Sequence, residues 1–433
     1  MKHAAKSHAR SLLQMLGQHG TLLLISVLFV LGAGIALVMQ IPISNIMGNY
    51  SYDVLVILIT MELFTNLITE TGIMQFLAIK LAELSRGKKR ACLIVFGGMM
   101  FLISACLNNI TAVMMILPVI FVLLKTLEVD KKYVAVFFAT ILALSNTGGA
   151  ASPIGDFPAI VIMTSGITNF LAYLTHAFPL FALTSVALIA VWSLSVKPER
   201  GKDEMREYAL LNLKSQYKHT VIRFDALIWL ALVFVGMFLA WSFVPQDIIP
   251  PEIIAILGYA IALLVCCLKG IKIKQIMDMQ SVLTIAAFLF FAEVISQTGI
   301  LATLATFLQQ NIENPKLLVI AIMLITSLVA GIFSAGPAAA AMMPIIVELC
   351  TGPLQAHTDW IAVAYASAIC AGSSLFLWSA TAGFILSNKI NGAGIEEGPG
   401  IKISWGAGQY FKYGIINYLI QIGVAIGCVL IVL

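Results

Sequence analysis

Between residues 145 and 158 the chain reads Ser-Asn-Thr-Gly-Gly-Ala-Ala-Ser-Pro-Ile-Gly-Asp-Phe-Pro, with three glycines and two prolines in an otherwise apolar surround. Glycine is a poor helix former and proline lacks the N–H that an interior helical position donates. Such a run predicts a helix opened in its middle. An opened helix frees carbonyls, and Ser145, Asn146, Thr147, Gly148 and Gly149 add hydroxyl, amide and backbone oxygens, hard ligands that suit Na⁺. The half-helix that follows would offer N–H groups and a positive dipole end to an anion. Asp156 sits inside the break, placed to bind a cation or carry a proton.

A second polar group, Asn108-Asn109-Ile110-Thr111, lies between the apolar runs 91–107 and 110–124. Asn108, Asn109 and Thr111 are therefore candidate ligands where two half-helices meet, and Na⁺ is assigned to Asn108, Ser145, Asn146 and Gly149. The second half carries weaker versions: Ser334-Ala335-Gly336-Pro337, and Gly372-Ser373-Ser374 running on to Thr381. Each has a structural alternative, since Asn caps helices and Gly and Ser let membrane helices pack closely. Glu62 and Glu293 fall mid-way along apolar segments and join Asp156 as candidate proton carriers, with paired structural carboxylates as the alternative. No Lys or Arg lies in these segments. An anionic substrate would be held by helix N-termini, amides and hydroxyls, helped by a co-bound cation.

These residues need a scaffold, and composition says which kind. The 433 residues are 60% hydrophobic and 11% charged, against about 25% charged in soluble domains. Too few polar groups remain to cover a water-facing surface. At about 20 apolar residues per crossing there is room for about ten. The net charge of +4 gives no case for nucleic acid, and the seven cysteines show no metal-ligand spacing. No nucleophile–base set or P-loop argues for an enzyme, and no cofactor is expected beyond Na⁺ as coupling ion.

Lys and Arg cluster at 1–19, 86–90, 125–132, 197–223 and 269–274, whereas 43–53 and 245–252 contain none. Cytoplasmic loops attract basic residues, so the N-terminus is expected in the cytoplasm. Residues 91–124 leave one basic loop and return to another. Their arms of about 15 residues, near 23 Å as helix, fall short of a hydrocarbon core of about 30 Å. A re-entrant hairpin fits better than two short crossings.

The second half echoes the first. Thr69–Ile73 matches Ser296–Ile300 at an offset of 227, Met114–Pro118 matches Ala340–Pro344 at 226, and at that offset Asn146 faces Gly372. Three crossings between the copies turn the second upside down. The expected fold is an all-α polytopic membrane protein of two inverted-topology repeats, each with a re-entrant helical hairpin and a broken transmembrane helix. The expected division is a cytoplasmic N-terminus (1–19), a first repeat (20–196, hairpin 91–124, broken helix 132–166), a solvated cytoplasmic connector (197–223), and residues 224–433. The last part holds an extra helix and the second repeat, with hairpin 317–349 and broken helix 360–388.

The Asn108–Thr111 and Ser145–Asp156 segments resemble the ion transporter superfamily, which includes divalent-anion/sodium symporters, citrate transporters, arsenite permeases and one class of sodium/proton antiporters. The resemblance covers most of 50–190 and, more faintly, 280–390. It implies a scaffold domain, often dimerising, and a transport domain of two hairpins and two broken helices that moves as a rigid body. Three departures stand out: Asn108 where antiporter-like members carry Asp, Gly336-Pro337 where an Asn-containing motif is common, and Phe157-Pro158-Ala159 in place of Pro-Pro-Asn. The first removes a cation-binding carboxylate and the second bears on a second cation site. The leading expectation is a secondary transporter moving a small anion, such as a carboxylate, with Na⁺ or H⁺ by alternating access. Sodium/proton antiport and arsenite-type efflux are the alternatives. The expected partners are a lipid bilayer, a small ionic substrate and a second copy of the chain, in a prokaryotic plasma (inner) membrane.

Overall fold

A computed structural model describes residues 25–127, 129–197, 203–217, 222–271, 273, 279–352, 354–380, 382–398 and 401–433. The expected cytoplasmic segment 1–19 and the candidate Thr381 lie outside the described residues. Nine described helices are long and apolar enough to cross a membrane, so the chain is an all-α polytopic membrane protein. Among the described residues the only sheet is an antiparallel pair, β1 (Glu396–Gly398) and β2 (Ile401–Lys402).

The chain opens with α1 (Ile25–Val38) and a short α2 (Ile43–Gly48). Then come α3 (Tyr52–Glu70), α4 (Ile73–Ser85), α5 (Lys89–Cys106) and α6 (Asn109–Thr126). They are followed by α7 (Lys131–Ala151), α8 (Phe157–Thr164) and α9 (Phe170–Ser195). Three helices join the halves: α10 (Asp203–Gln216), α11 (Phe224–Phe243) and α12 (Pro251–Leu268). The earlier order then recurs as α13 (Met279–Gln297), α14 (Ile300–Asn311), α15 (Pro315–Phe333), α16 (Ala335–Thr351), α17 (Thr358–Ser373), α18 (Gly383–Ala393) and α19 (Ala407–Val432). The correspondence reaches into detail. Both α3 and α13 have 19 residues, and α9 and α19 both have 26. The turns before α4 and α14 are made by left-handed glycines, Gly72 (φ 77°) and Gly299 (φ 73°). Pro118 and Pro344 occupy matching places in α6 and α16.

Three features depart from the sequence reading. The arms α5 and α6 have 18 residues each, or about 27 Å, longer than expected. Second, α4 and α14 are helices where hydropathy suggested only connections. In α4 a single stripe is buried, Ile73, Met74, Ala78, Leu81 and Ala82, too narrow to register as a crossing. Third, the connector is not simply solvated. Its helix α10 buries Ala209 and Leu213 completely and leaves Arg206 only 6% exposed.

The centre of the molecule is α7, whose most apolar stretch is wholly buried. Tyr133 Oη donates to the Lys89 carbonyl (2.8 Å), so α5 and α7 begin at one level and run side by side. Gly148 sets how closely they pack, because a Cβ there would strike the Phe101 carbonyl and lie 2.8 Å from Ser104 Cβ.

Candidate functional site

The break between α7 and α8 spans residues 152–156, where Pro153 and Gly155 interrupt the helical ladder. The tip between α5 and α6, residues 107 and 108, packs against this break. Ser152 Oγ donates to the Ala105 carbonyl, and a Cβ on Gly155 would come within 2.7 Å of the Ser104 carbonyl.

A short chain of polar side chains closes the junction. Ser104 Oγ donates to Asn109 Oδ1 (2.6 Å), and Asn109 Nδ2 donates to Asp156 Oδ2 (2.7 Å). The other carboxylate oxygen, Oδ1, accepts the Phe157 N–H (2.9 Å), so Asp156 caps α8. Asn109 is fully buried and Asp156 is 6% exposed. Gly149 makes room for the pair, since its Cβ would overlap Asn109 Oδ1 and lie 2.7 Å from Asp156 Cβ. Among the described residues the hydrogen-bond partners of Asp156 are thus an amide and a backbone N–H, neither of them charged.

This geometry refines the sequence expectation. The first turn of α8 carries the chain's own carboxylate where a substrate anion was expected. Pro158 has no N–H, and the Phe157 N–H is already taken. The site can hold a proton or a cation at Asp156, because a buried carboxylate without a basic partner has to be neutralised.

The remaining candidates fall into three groups. Asn108 caps α6, its Oδ1 accepting the Ile110 N–H (2.9 Å), while Thr111 is half-buried in the next turn and takes no part in the Asp156 network. On α7, Ser145 Oγ donates to the Leu142 carbonyl (2.8 Å), and Thr147 Oγ1 pairs with Ser185 Oγ of α9 (2.9 Å). Asn146 reaches across to the other half, with Nδ2 3.2 Å from Ser373 Oγ and 3.4 Å from Ser374 Oγ. Gly372 is a packing glycine, because a Cβ there would strike the Ser327 carbonyl. Ser334 forms the second tip in a left-handed conformation (φ 84°). Glu62 and Glu293 are half-buried on α3 and α13. Glu293 accepts from Gln297 Nε2 (2.7 Å) on its own helix.

Sequence reasoning passed over Ser104, which lies five residues before Asn109 on the opposite arm and shows its role only once the hairpin is closed. It also missed two tyrosines that satisfy the broken ends. Tyr173 Oη donates to the Ala150 carbonyl (2.7 Å) and Tyr410 Oη to the Ser374 carbonyl (2.7 Å). A tyrosine in an apolar helix carries no local sign of such a role.

The sequence model of the citrate transporter family matches residues 12–370. A 46 kDa membrane protein of Mycobacterium leprae is 26% identical over 378 residues, which cover 83% of this chain and 85% of the relative. An uncharacterised transporter of Mycobacterium tuberculosis is 26% identical over 325 residues, 72% of each chain. The magnetosome protein MamN of Magnetospirillum gryphiswaldense is 25% identical over 392 residues, 86% of each. The chain belongs to the citrate transporter family, within the ion transporter superfamily. It is a membrane transporter for a small substrate, not an enzyme.

Proposed function

We propose that this member of the citrate transporter family is a secondary active transporter that moves a small anion, a carboxylate, coupled to Na⁺ or H⁺ by alternating access. The observation that carries the coupling is Asp156, buried at the junction of the first tip and the first break with only uncharged partners. Neutralising it by proton or cation changes how firmly tip and break are held together, which is what coupling an ion to a conformational change requires. The repeated order of elements supports two inverted repeats, with α5–α6 and α15–α16 as re-entrant hairpins and the N-terminus in the cytoplasm of a prokaryotic cell. The apolar outer faces of α11 and α12, with Trp229, Leu232 and Leu257 exposed, suit lipid and a second copy of the chain.

A second reading, exchange of Na⁺ for H⁺, is favoured by the same carboxylate, which accepts either ion. Arsenite efflux rests on the family resemblance alone. The test is uptake of citrate and dicarboxylates into proteoliposomes under an imposed Na⁺ or pH gradient. The wild type should accumulate one of these anions, and Asp156→Asn should lose the gradient dependence. Na⁺-evoked proton movement without anion uptake, lost in Asp156→Asn, would favour the exchanger. Full gradient-driven uptake by Asp156→Asn would remove Asp156 from the mechanism.

A further inference from the structure

The two broken helices end against equivalent tyrosines. Helices α9 and α19 have 26 residues each, and the fourth residue of each is a tyrosine, Tyr173 and Tyr410. Both phenols reach the same feature in the two halves. Tyr173 Oη donates to the Ala150 carbonyl in the last turn of α7, and Tyr410 Oη to the Ser374 carbonyl just past α17 (2.7 Å each). Tyr173 is 1% exposed and Tyr410 0%. One turn further on, both helices carry a small residue. Ala177 is fully buried, and a Cβ on Gly414 would strike the Leu375 carbonyl. The last carbonyls of a helix have no N–H ahead of them, and a buried carbonyl left unpaired is costly. Each phenol therefore holds one such carbonyl in a fixed orientation.

We propose that Tyr173 is a positioning residue for the coupling ion at Asp156, and that Tyr410 holds the second break by the same bond without bearing on that ion. Ala150 stands six residues before Asp156, and the segment between them is pinned on two sides. Tyr173 of α9 holds its start, and Ser152 Oγ donates to the Ala105 carbonyl of α5. Asp156 then meets Asn109 Nδ2 and the Phe157 N–H at 2.7 and 2.9 Å. A carboxylate already held in place binds its ion without a further ordering cost. Freeing the Ala150 carbonyl loosens the segment, and that cost then falls on ion binding. Past α17, residues 374–382 read Ser-Leu-Phe-Leu-Trp-Ser-Ala-Thr-Ala. The bond from Tyr410 thus has no carboxylate to place.

The inference rests on the reading of Asp156 as the coupling group, and the two can fail separately. Thermal stability of the detergent-purified full chain is measured across a NaCl titration, with choline chloride holding ionic strength, and across pH at fixed NaCl. An ion that binds only the folded state raises its stability. The coupling ion is the one whose effect is lost in Asp156→Asn. If that variant loses neither effect, the coupling reading fails and this inference with it. Phenylalanine keeps the ring and removes one hydroxyl, so Tyr173→Phe and Tyr410→Phe should lose similar stability in the absence of the ion. Only Tyr173→Phe should raise the concentration of that ion at the midpoint, by about threefold or more, the factor carried by a single hydrogen bond. An unmoved midpoint in Tyr173→Phe, with the response still dependent on Asp156, overturns the positioning role and leaves the coupling reading standing. Equal shifts in the two variants overturn it as well, since the break without an acid would then matter as much. So does failure of Tyr173→Phe to fold, which would make the bond a purely structural one.

Discussion

The two breaks share a backbone plan and differ in what lines it. At the first, the tip delivers a buried amide to a buried carboxylate, and α8 starts from that carboxylate. At the second, the tip is Ser334-Ala335-Gly336, and Gly336 faces the ring of Phe157, which would lie 3.4 Å from an added Cβ. Beyond α17, Ser379 Oγ donates to the Ser373 carbonyl (3.0 Å), so hydroxyls close this break without an acid. Asp156 and Phe157 are neighbours, and the start of α8 therefore meets both tips, one through a charge-bearing group and one through an apolar ring. The two junctions share the geometry of interrupted helix ends. A buried acid stands at the first, and the second is lined by hydroxyls and packing.

The difference can be tested most severely with the glycines. Gly149→Ala drives a methyl group into Asn109 Oδ1 and to 2.7 Å from Asp156 Cβ. Overpacking of this kind costs about 1–3 kcal/mol, and here the displaced atoms are the proposed coupling groups. Thermal stability should fall accordingly, and gradient-driven uptake should be lost with it. Gly336→Ala meets Phe157 at an ordinary contact distance and should change stability by less than about 0.5 kcal/mol and leave uptake largely intact. Equal losses in the two variants would mean that both tips pack against equally rigid partners, and the contrast between them would fail.

Much of this contrast was legible in the sequence, because broken helices advertise themselves. The Gly-Gly and Pro-Ile-Gly-Asp elements of 145–158 place a break by backbone chemistry alone, and α7 ends within it. The tips at Asn108 and Ser334 were legible as polar interruptions of apolar runs. What remained hidden depends on contacts between distant segments. Asn109 and Asp156 are 47 residues apart, and nothing local in either segment says that they touch each other and not lipid or water. The helices α4, α10 and α14 were invisible for another reason. A hydropathy scan registers segments long enough to cross, and these helices have only 13, 14 and 12 residues, against about 20 for a crossing.

The tips also differ in backbone strain, and two substitutions should move stability in opposite directions. Ser334 holds φ 84° and ψ 163°, a region essentially restricted to glycine that costs other residues about 1–3 kcal/mol. Its side chain makes no capping bond to repay this. Ser334→Gly should therefore stabilise the protein by about 1 kcal/mol. At the first tip Asn108 has φ −54° and its side chain caps α6, so Asn108→Ala should destabilise by about 1 kcal/mol. Both are read from denaturation midpoints in detergent. The same sign at both positions would show that the tips are strained alike.

The smallest expected effect concerns the short helices that follow α3 and α13. In the first half α4 is clasped by α10: Glu83 accepts from Lys80 Nζ (2.9 Å) and pairs with Lys214 Nζ (3.1 Å). Among the described residues α14 has no such clasp. These lysines hold the Glu83 carboxyl below the usual carboxylate range, the hydrogen bond from Lys80 contributing most and that from Lys214 next. A carboxylate whose acidity is raised by folding stabilises the fold fully at pH above its ordinary value of about 4.3. That contribution is lost as the pH falls through the lower, folded value. The group is partly solvated, so the pair is worth less than about 1 kcal/mol and should fade in high salt. Between about pH 5 and 3 the wild type should thus lose slightly more stability than Glu83→Gln, and Lys214→Ala should show part of the same flattening. A wild-type curve that parallels Glu83→Gln throughout would mean that α10 is held by Ala209 and Leu213 alone, with the ion pairs contributing nothing to the clasp.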